Sequence, residues 1–171
     1  MDNFRNELIK FIFSKFSTVN DVFFEEYSFQ RGDGTFYETA YSTMEDLNIV
    51  ASIPNDSKNS FICISKSAPS EVCKILSSIQ HYNEDVSKLG YGHTVPLSTS
   101  SYAVDRGWSS ALMLTPDVLI DNFESSLENK FKNNNIYLVV FLTELEHAMK
   151  VNKGLDSVLD YFEDIEKDIT V

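Results

Sequence analysis

The sequence predicts an α+β domain: a mixed, mostly antiparallel sheet flanked by helices. Strand-like and helical runs are intermixed along the chain, which disfavours a doubly wound parallel sheet. Pairs of strand-like runs are joined by short polar turns, as in antiparallel hairpins. Of the 171 residues, 43% are hydrophobic and 13% aromatic, enough to bury a core without a metal or disulfide staple. No repeat, low-complexity tract or Pro/Gly/Ser-rich linker divides the chain, so residues 1–171 read as one domain.

Residues 2–16 place Phe4, Leu8, Phe11 and Ile12 at helical spacing, with Asp2 as N-cap. VFFEEYSFQ mixes aromatic and acidic side chains, as a strand partly facing solvent does. Gly32, Asp33 and Gly34 then form a tight turn into FYETAYST, a half-buried strand. Arg31-Gly32-Asp33 is read as turn chemistry, because no secretory signal accompanies it. LNIVASI and SFICIS, separated by PNDSKN, read as a hairpin. A helix opens at Pro69 and Ser70, with Ser70 as N-cap and Val72, Ile75, Leu76, Ile79 and Tyr82 on one face.

LGYGHTVPL reads as an irregular loop entering a short strand, and Ser98 to Trp108 as a polar connection. SALMLTP is a buried strand ended by Pro116. Asp117 to Glu128 suit a helix or helical turn, with Val118, Phe123 and Leu127 as its apolar positions. KNNN turns the chain into IYLVVFL, the most strand-like run present. A short acidic helix follows, then a break at Gly154 and a second amphipathic helix. Its stripe of Leu155, Val158, Leu159, Phe162 and Ile165 must pack on a sheet.

Fourteen basic against 26 acidic residues leave a formal net charge of -12. That field repels nucleic acid and anionic membrane surfaces and favours encounter with a basic protein. Its plainest effect is solubility. Cys63 and Cys73 lack metal-ligand or CxxC spacing and read as buried reduced thiols. The first residues carry charge within their apolar stretch, and no apolar run reaches the ~18 residues of a membrane span. The expected location is the cytoplasm.

His81, His93 and His147 share no ligand spacing, and no nucleophile elbow, P-loop, dinucleotide fingerprint or zinc-protease motif occurs. The best enzyme constellation is His93 with Asp105 and Glu146, which nothing in the sequence brings together. Glu144, Glu146 and His147 do not share one helical face, so they read as an acid-enriched helix start and not a metal site. No cofactor is expected. Trp108 reads first as a core plug and otherwise as an interface anchor. Tyr91 and Tyr102, flanking the same polar region, read as exposed contact residues.

From Val72 to Phe162 the order and spacing of parts resemble the suppressor-of-fused family. The carriers are the helix Val72 to Tyr82, Gly90-Tyr91-Gly92-His93-Thr94-Val95 and the apolar strand Ala111 to Pro116. Leu142-Thr143-Glu144-Leu145-Glu146, Gly154-Leu155 and Val158-Leu159 complete them. Family members often carry a proline between the last strand and the acidic segment, where this chain has Phe141-Leu142-Thr143. The resemblance implies a protein-binding domain and not an enzyme. Small bacterial relatives often act as immunity proteins that neutralise a toxin, whereas animal relatives capture a peptide by strand addition.

Three readings follow. The first is an immunity protein binding a basic, nuclease-type toxin. The second is a general module that takes up a peptide strand, and the third a hydrolase with an unrecognised site. For a binder, the candidate contact residues are Asp156, Asp160, Glu163 and Asp164 on the last helix, with Tyr91 and Tyr102.

Overall fold

The computed structural model describes residues 3–16, 21–28, 36–55, 58–66 and 68–171. The N-cap expected at Asp2 and the turn expected at Gly32 to Gly34 lie outside them. The chain runs through α1 (Asn3–Lys15), β1 (Phe23–Ser28), β2 (Phe36–Met44), β3 (Leu47–Ile53), β4 (Asn59–Ser65) and α2 (Pro69–Asp85). It continues through β5 (Thr94–Pro96), α3 (Ser101–Asp105), β6 (Trp108–Leu114), β7 (Asn135–Thr143), α4 (Glu144–Lys153) and α5 (Leu155–Asp164).

Among the described residues the strands form one seven-stranded sheet in the order β1-β2-β3-β4-β7-β6-β5. The β4–β7 pair is parallel, and the other neighbouring pairs are antiparallel. The predicted class, a mixed and mostly antiparallel sheet with flanking helices, is the one found, and LNIVASI and SFICIS do pair as a hairpin.

Both faces of the sheet are covered, because strand side chains alternate between them. On one face Ile49, Ala51, Ile62, Leu112, Leu138 and Val140 pack with Leu8 and Ile12 of α1 and Val158 and Phe162 of α5. On the other, Val50, Phe61, Cys63, Met113 and Phe141 pack with Val72, Leu76 and Ile79 of α2. Each aliphatic side chain buried this way contributes about 1.5–3 kcal/mol relative to exposure. The two thiols belong to the second layer, and burial pushes each of them up to about 12. They are therefore protonated and poor nucleophiles at neutral pH.

Four local readings need correction. Ser70 is not the N-cap of α2. That place falls to Ala68, in a left-handed conformation (φ 48), because Pro69 takes the first helical position with its preset φ. Ala68 has no oxygen to offer the helix start. Instead Ser70 donates its hydroxyl at 2.5 Å to Glu25 of β1, setting a carboxylate near the positive end of the helix.

Ser98 to Trp108 is more than a connection, since Ser100 Oγ accepts from the Ala103 N–H and starts the single-turn helix α3. The helix or helical turn expected over Asp117 to Glu128 is found as two short 3-10 turns, Pro116–Val118 and Glu124–Ser126, with Asn122 at positive φ between them. Only its apolar positions need correction. Phe123 is buried there as expected, but Val118 is exposed. Lastly, Ile165 lies just past the end of α5 and is 48% exposed, so the buried stripe is shorter than predicted.

Candidate functional site

The last helical pair begins with a capping box. Thr143 Oγ1 accepts from the Glu146 N–H at 3.3 Å, while Glu146 Oε2 accepts from the Thr143 N–H at 2.8 Å. The other carboxylate oxygen of Glu146 accepts from Lys167 Nζ at 2.7 Å. Glu146 is buried, so the pair is shielded from solvent. It ties the start of α4 to the segment that follows α5. Gly154 turns the chain between the two helices at φ 92, a conformation that favours glycine.

Helix α5 is sharply two-sided. At about 100° per residue, Asp156, Asp160, Glu163 and Asp164 fall within about 100° of arc, opposite Val158 and Phe162. All four carboxylates are exposed, and no ion pair among the described residues reaches any of them. Lys150 and Lys153 sit in the last turn of α4, where the helix dipole favours cations. The four acidic residues thus share one exposed face of a helix packed against the core.

Tyr91 is 52% exposed and lies on the loop between α2 and β5. That loop is pinned at several points. The Leu89 N–H donates to Asn83 Oδ1 at 2.9 Å, and its carbonyl accepts from Asn59 Nδ2 at 3.0 Å. Gly92 donates to the Met113 carbonyl, and Met113 returns a bond to the His93 carbonyl. Gly92 also abuts Leu155 at the start of α5: a Cβ there would stand 3.1 Å from Leu155 Cδ2. The fold therefore brings the Tyr91 loop to the N-terminal end of the acidic helix.

Tyr102 does not join that surface. Its ring is half-buried, with the Arg106 guanidinium 3.4 Å from its centroid and the Trp108 ring 6.0 Å away. Its hydroxyl is buried without a hydrogen-bond partner among the described residues. The surrounding Ser and Thr residues had suggested exposure, but the helix turn of α3 folds the ring inward. Trp108, also half-buried, packs on Phe141 at 4.9 Å between centroids and belongs to the edge of the second core layer.

The catalytic constellation weighed from sequence is not assembled. His93 Nδ1 accepts from the Gly90 N–H at 3.1 Å, Glu146 is occupied as described, and among the described residues no hydrogen bond or ion pair joins either to Asp105. A surface depression of about 310 Å³ lies between α1 and the turn Asn129–Phe131, and none of the three residues lines it. Among the described residues no group of three His, Cys, Asp or Glu side chains is placed to hold a metal ion. No described helix is long and apolar enough to cross a membrane.

This architecture, a mixed sheet between two helical layers, is the suppressor-of-fused-like fold. The chain superposes on the crystal structure of a proposed suppressor of fused homolog from Neisseria gonorrhoeae FA 1090 with a TM-score of 0.79. The match covers 99% of this chain and 93% of that one at 11% sequence identity, so the likeness is one of fold. No protein-family model matches the chain, and neither does any curated protein.

Proposed function

We propose that this chain is a non-enzymatic protein-binding domain that acts as an immunity protein in the bacterial cytoplasm. It would bind a cognate toxin of a polymorphic or contact-dependent system and block it. The observation that carries this reading is the α5 face, with Asp156, Asp160, Glu163 and Asp164 aligned, exposed and without ion pairs among the described residues. An unneutralised acidic patch on a rigid element accelerates encounter with a basic surface and selects against acidic ones. A nuclease cleft built to hold phosphates has the complementary charge. Tyr91, exposed on the pinned loop that meets the first turn of α5 at Gly92, has the amphipathic character of an interface anchor.

The experiment is expression of the product of the neighbouring upstream gene with and without this chain. The reading requires toxicity that this chain relieves. It also requires that the quadruple variant D156N/D160N/E163Q/D164N lose the relief while still folding. Turnover of any substrate abolished by His93→Ala would point to the enzyme reading instead.

A further inference from the structure

The sheet comes apart at its centre. Among the described residues, the parallel pair β4–β7 runs from Asn59↔Asn135 to Ile62↔Leu138. Beyond that point β4 stays with β3 as far as Asn48↔Ser65, and β7 stays with β6 as far as Trp108↔Thr143. The two strands therefore part in a fork. The Lys58 carbonyl accepts from the Asn135 N–H at 2.8 Å, so even-numbered residues from Lys58 onward turn their backbone groups toward β7. Past Ile62, that edge presents the Ile64 carbonyl and the Lys66 N–H to the fork.

Val171 fills it. Its N–H donates to the Ile64 carbonyl at 2.9 Å, and its carbonyl accepts from the Lys66 N–H at 2.6 Å. Val171 is 9% exposed and belongs to the second core layer, with Cys63, Val139 and Phe141. The residues just before it are held more loosely. Asp168 pairs with Lys66, and both side chains are more than half exposed. Asp168 Oδ1 accepts from the Thr170 hydroxyl at 2.7 Å and the Thr170 N–H at 3.0 Å, contacts internal to the segment. Lys167, by contrast, is fixed by its N–H on the Phe162 carbonyl and its ammonium on Glu146. Glu166 turns the chain there at φ 49, a conformation that penalises a side chain. Asp168 to Val171 thus hang from an anchored point and can move without disturbing α5.

We propose that Asp168 to Val171 form a strap that gates the fork between β4 and β7. The strap opens while the sheet, α2 and α5 stay folded, and solvent then reaches the second core layer. Opening breaks two backbone hydrogen bonds and one exposed ion pair, and uncovers Val171 and the half-buried Ile169. That is a small part of what holds the domain, as expected of a local opening. The bonds to Ile64 and Lys66 set Val171 beside Ser65, on the face that also carries Cys63 two residues earlier. Small electrophiles and oxidants reach Cys63 through the open strap. Cys73, buried on α2, is reached when α2 leaves the sheet. The strap does not depend on the α5 face, and either can fail without the other.

The test uses the full chain and methyl methanethiosulfonate, a small thiol reagent. Labelling of each cysteine is read by peptide mass spectrometry and normalised to its rate in the urea-unfolded chain. Hydrogen exchange of the amides is followed in parallel. Cys63 is expected to be labelled at least about 10-fold faster than Cys73. The Lys66 and Val171 amides should exchange together, at least about 10-fold faster than the slowest amides of the β3–β4 pair. Val171→Ser should speed Cys63 labelling and Lys66 exchange by about 10-fold, through lost apolar burial, and leave Cys73 within about twofold. Lys66→Ala, a change at an exposed side chain, should act in the same direction by about threefold. D156N/D160N should alter neither thiol by more than about twofold, as expected for independent sites. Equal labelling of the two cysteines, or a Val171→Ser effect shared equally between them, would overturn the proposal.

Discussion

Leu155 Cδ2 lies 3.1 Å from the point where a Cβ on Gly92 would stand. The loop bearing Tyr91 is therefore seated on the first turn of the acidic helix, and the fit depends on the absence of a side chain at position 92. Gly92 also has φ +78, a region that penalises any residue with a Cβ.

Gly92→Ala should therefore destabilise the protein by about 1–2 kcal/mol, from left-handed strain together with the push on Leu155. Gly90→Ala is the matched control. Its Cβ would meet nothing closer than His93 Cε1 at 3.8 Å, and no positive φ is involved. That change should stay within about 0.5 kcal/mol. Urea unfolding of the two variants makes the comparison. Equal costs would mean that the loop is not seated as described.

The Glu146 carboxylate serves the Thr143 N–H with one oxygen and Lys167 with the other. Glu146→Ala removes both services and leaves a largely buried ammonium alone, at a cost of about 2–4 kcal/mol. Thr143→Ala, which loses only the hydroxyl half of the cap, should cost about 1 kcal/mol. Chemical denaturation distinguishes these values. A Glu146→Ala cost no larger than that of Thr143→Ala would remove Lys167 from the account.

Asp168 supplies a pH dependence. Its carboxyl is held down to about 2 by Lys66, and then by the Thr170 hydroxyl and N–H. A folded-state pKa below the unfolded value adds stability that is complete above about pH 4. That stability is lost as pH falls from about 4 toward 2. The pair is exposed, so screening limits its worth to less than about 1 kcal/mol. Asp168→Asn should flatten the acid limb of the stability curve in that window and leave its shape above pH 5 unchanged. A wild-type acid limb retained in the variant would assign the effect to other carboxylates.

Most of the element order was legible because strands and helices announce themselves locally, through periodicity and turn residues. The acidic face was legible for the same reason: Asp156, Asp160, Glu163 and Asp164 share a helical spacing that needs no knowledge of the fold. Thr143 and Glu146 also stand at capping-box spacing, a signal hidden beneath a reading of that turn as simply acid-rich. What was not legible depends on contacts between distant residues. The seat of the Tyr91 loop on Leu155, the reach of Lys167 to Glu146 and the place of β1 at the sheet edge are all of this kind. Tyr102 was misplaced because its neighbours are polar, whereas its own ring finds Arg106 and Trp108.

The most direct test of the central claim is calorimetric titration of this chain with the toxin proposed for it, sought as the product of the neighbouring upstream gene, at low and at high salt. The account predicts tight binding that weakens steeply with ionic strength, and by about 10-fold or more in D156N/D160N/E163Q/D164N. Affinity that is indifferent to salt and to the four carboxylates would contradict it.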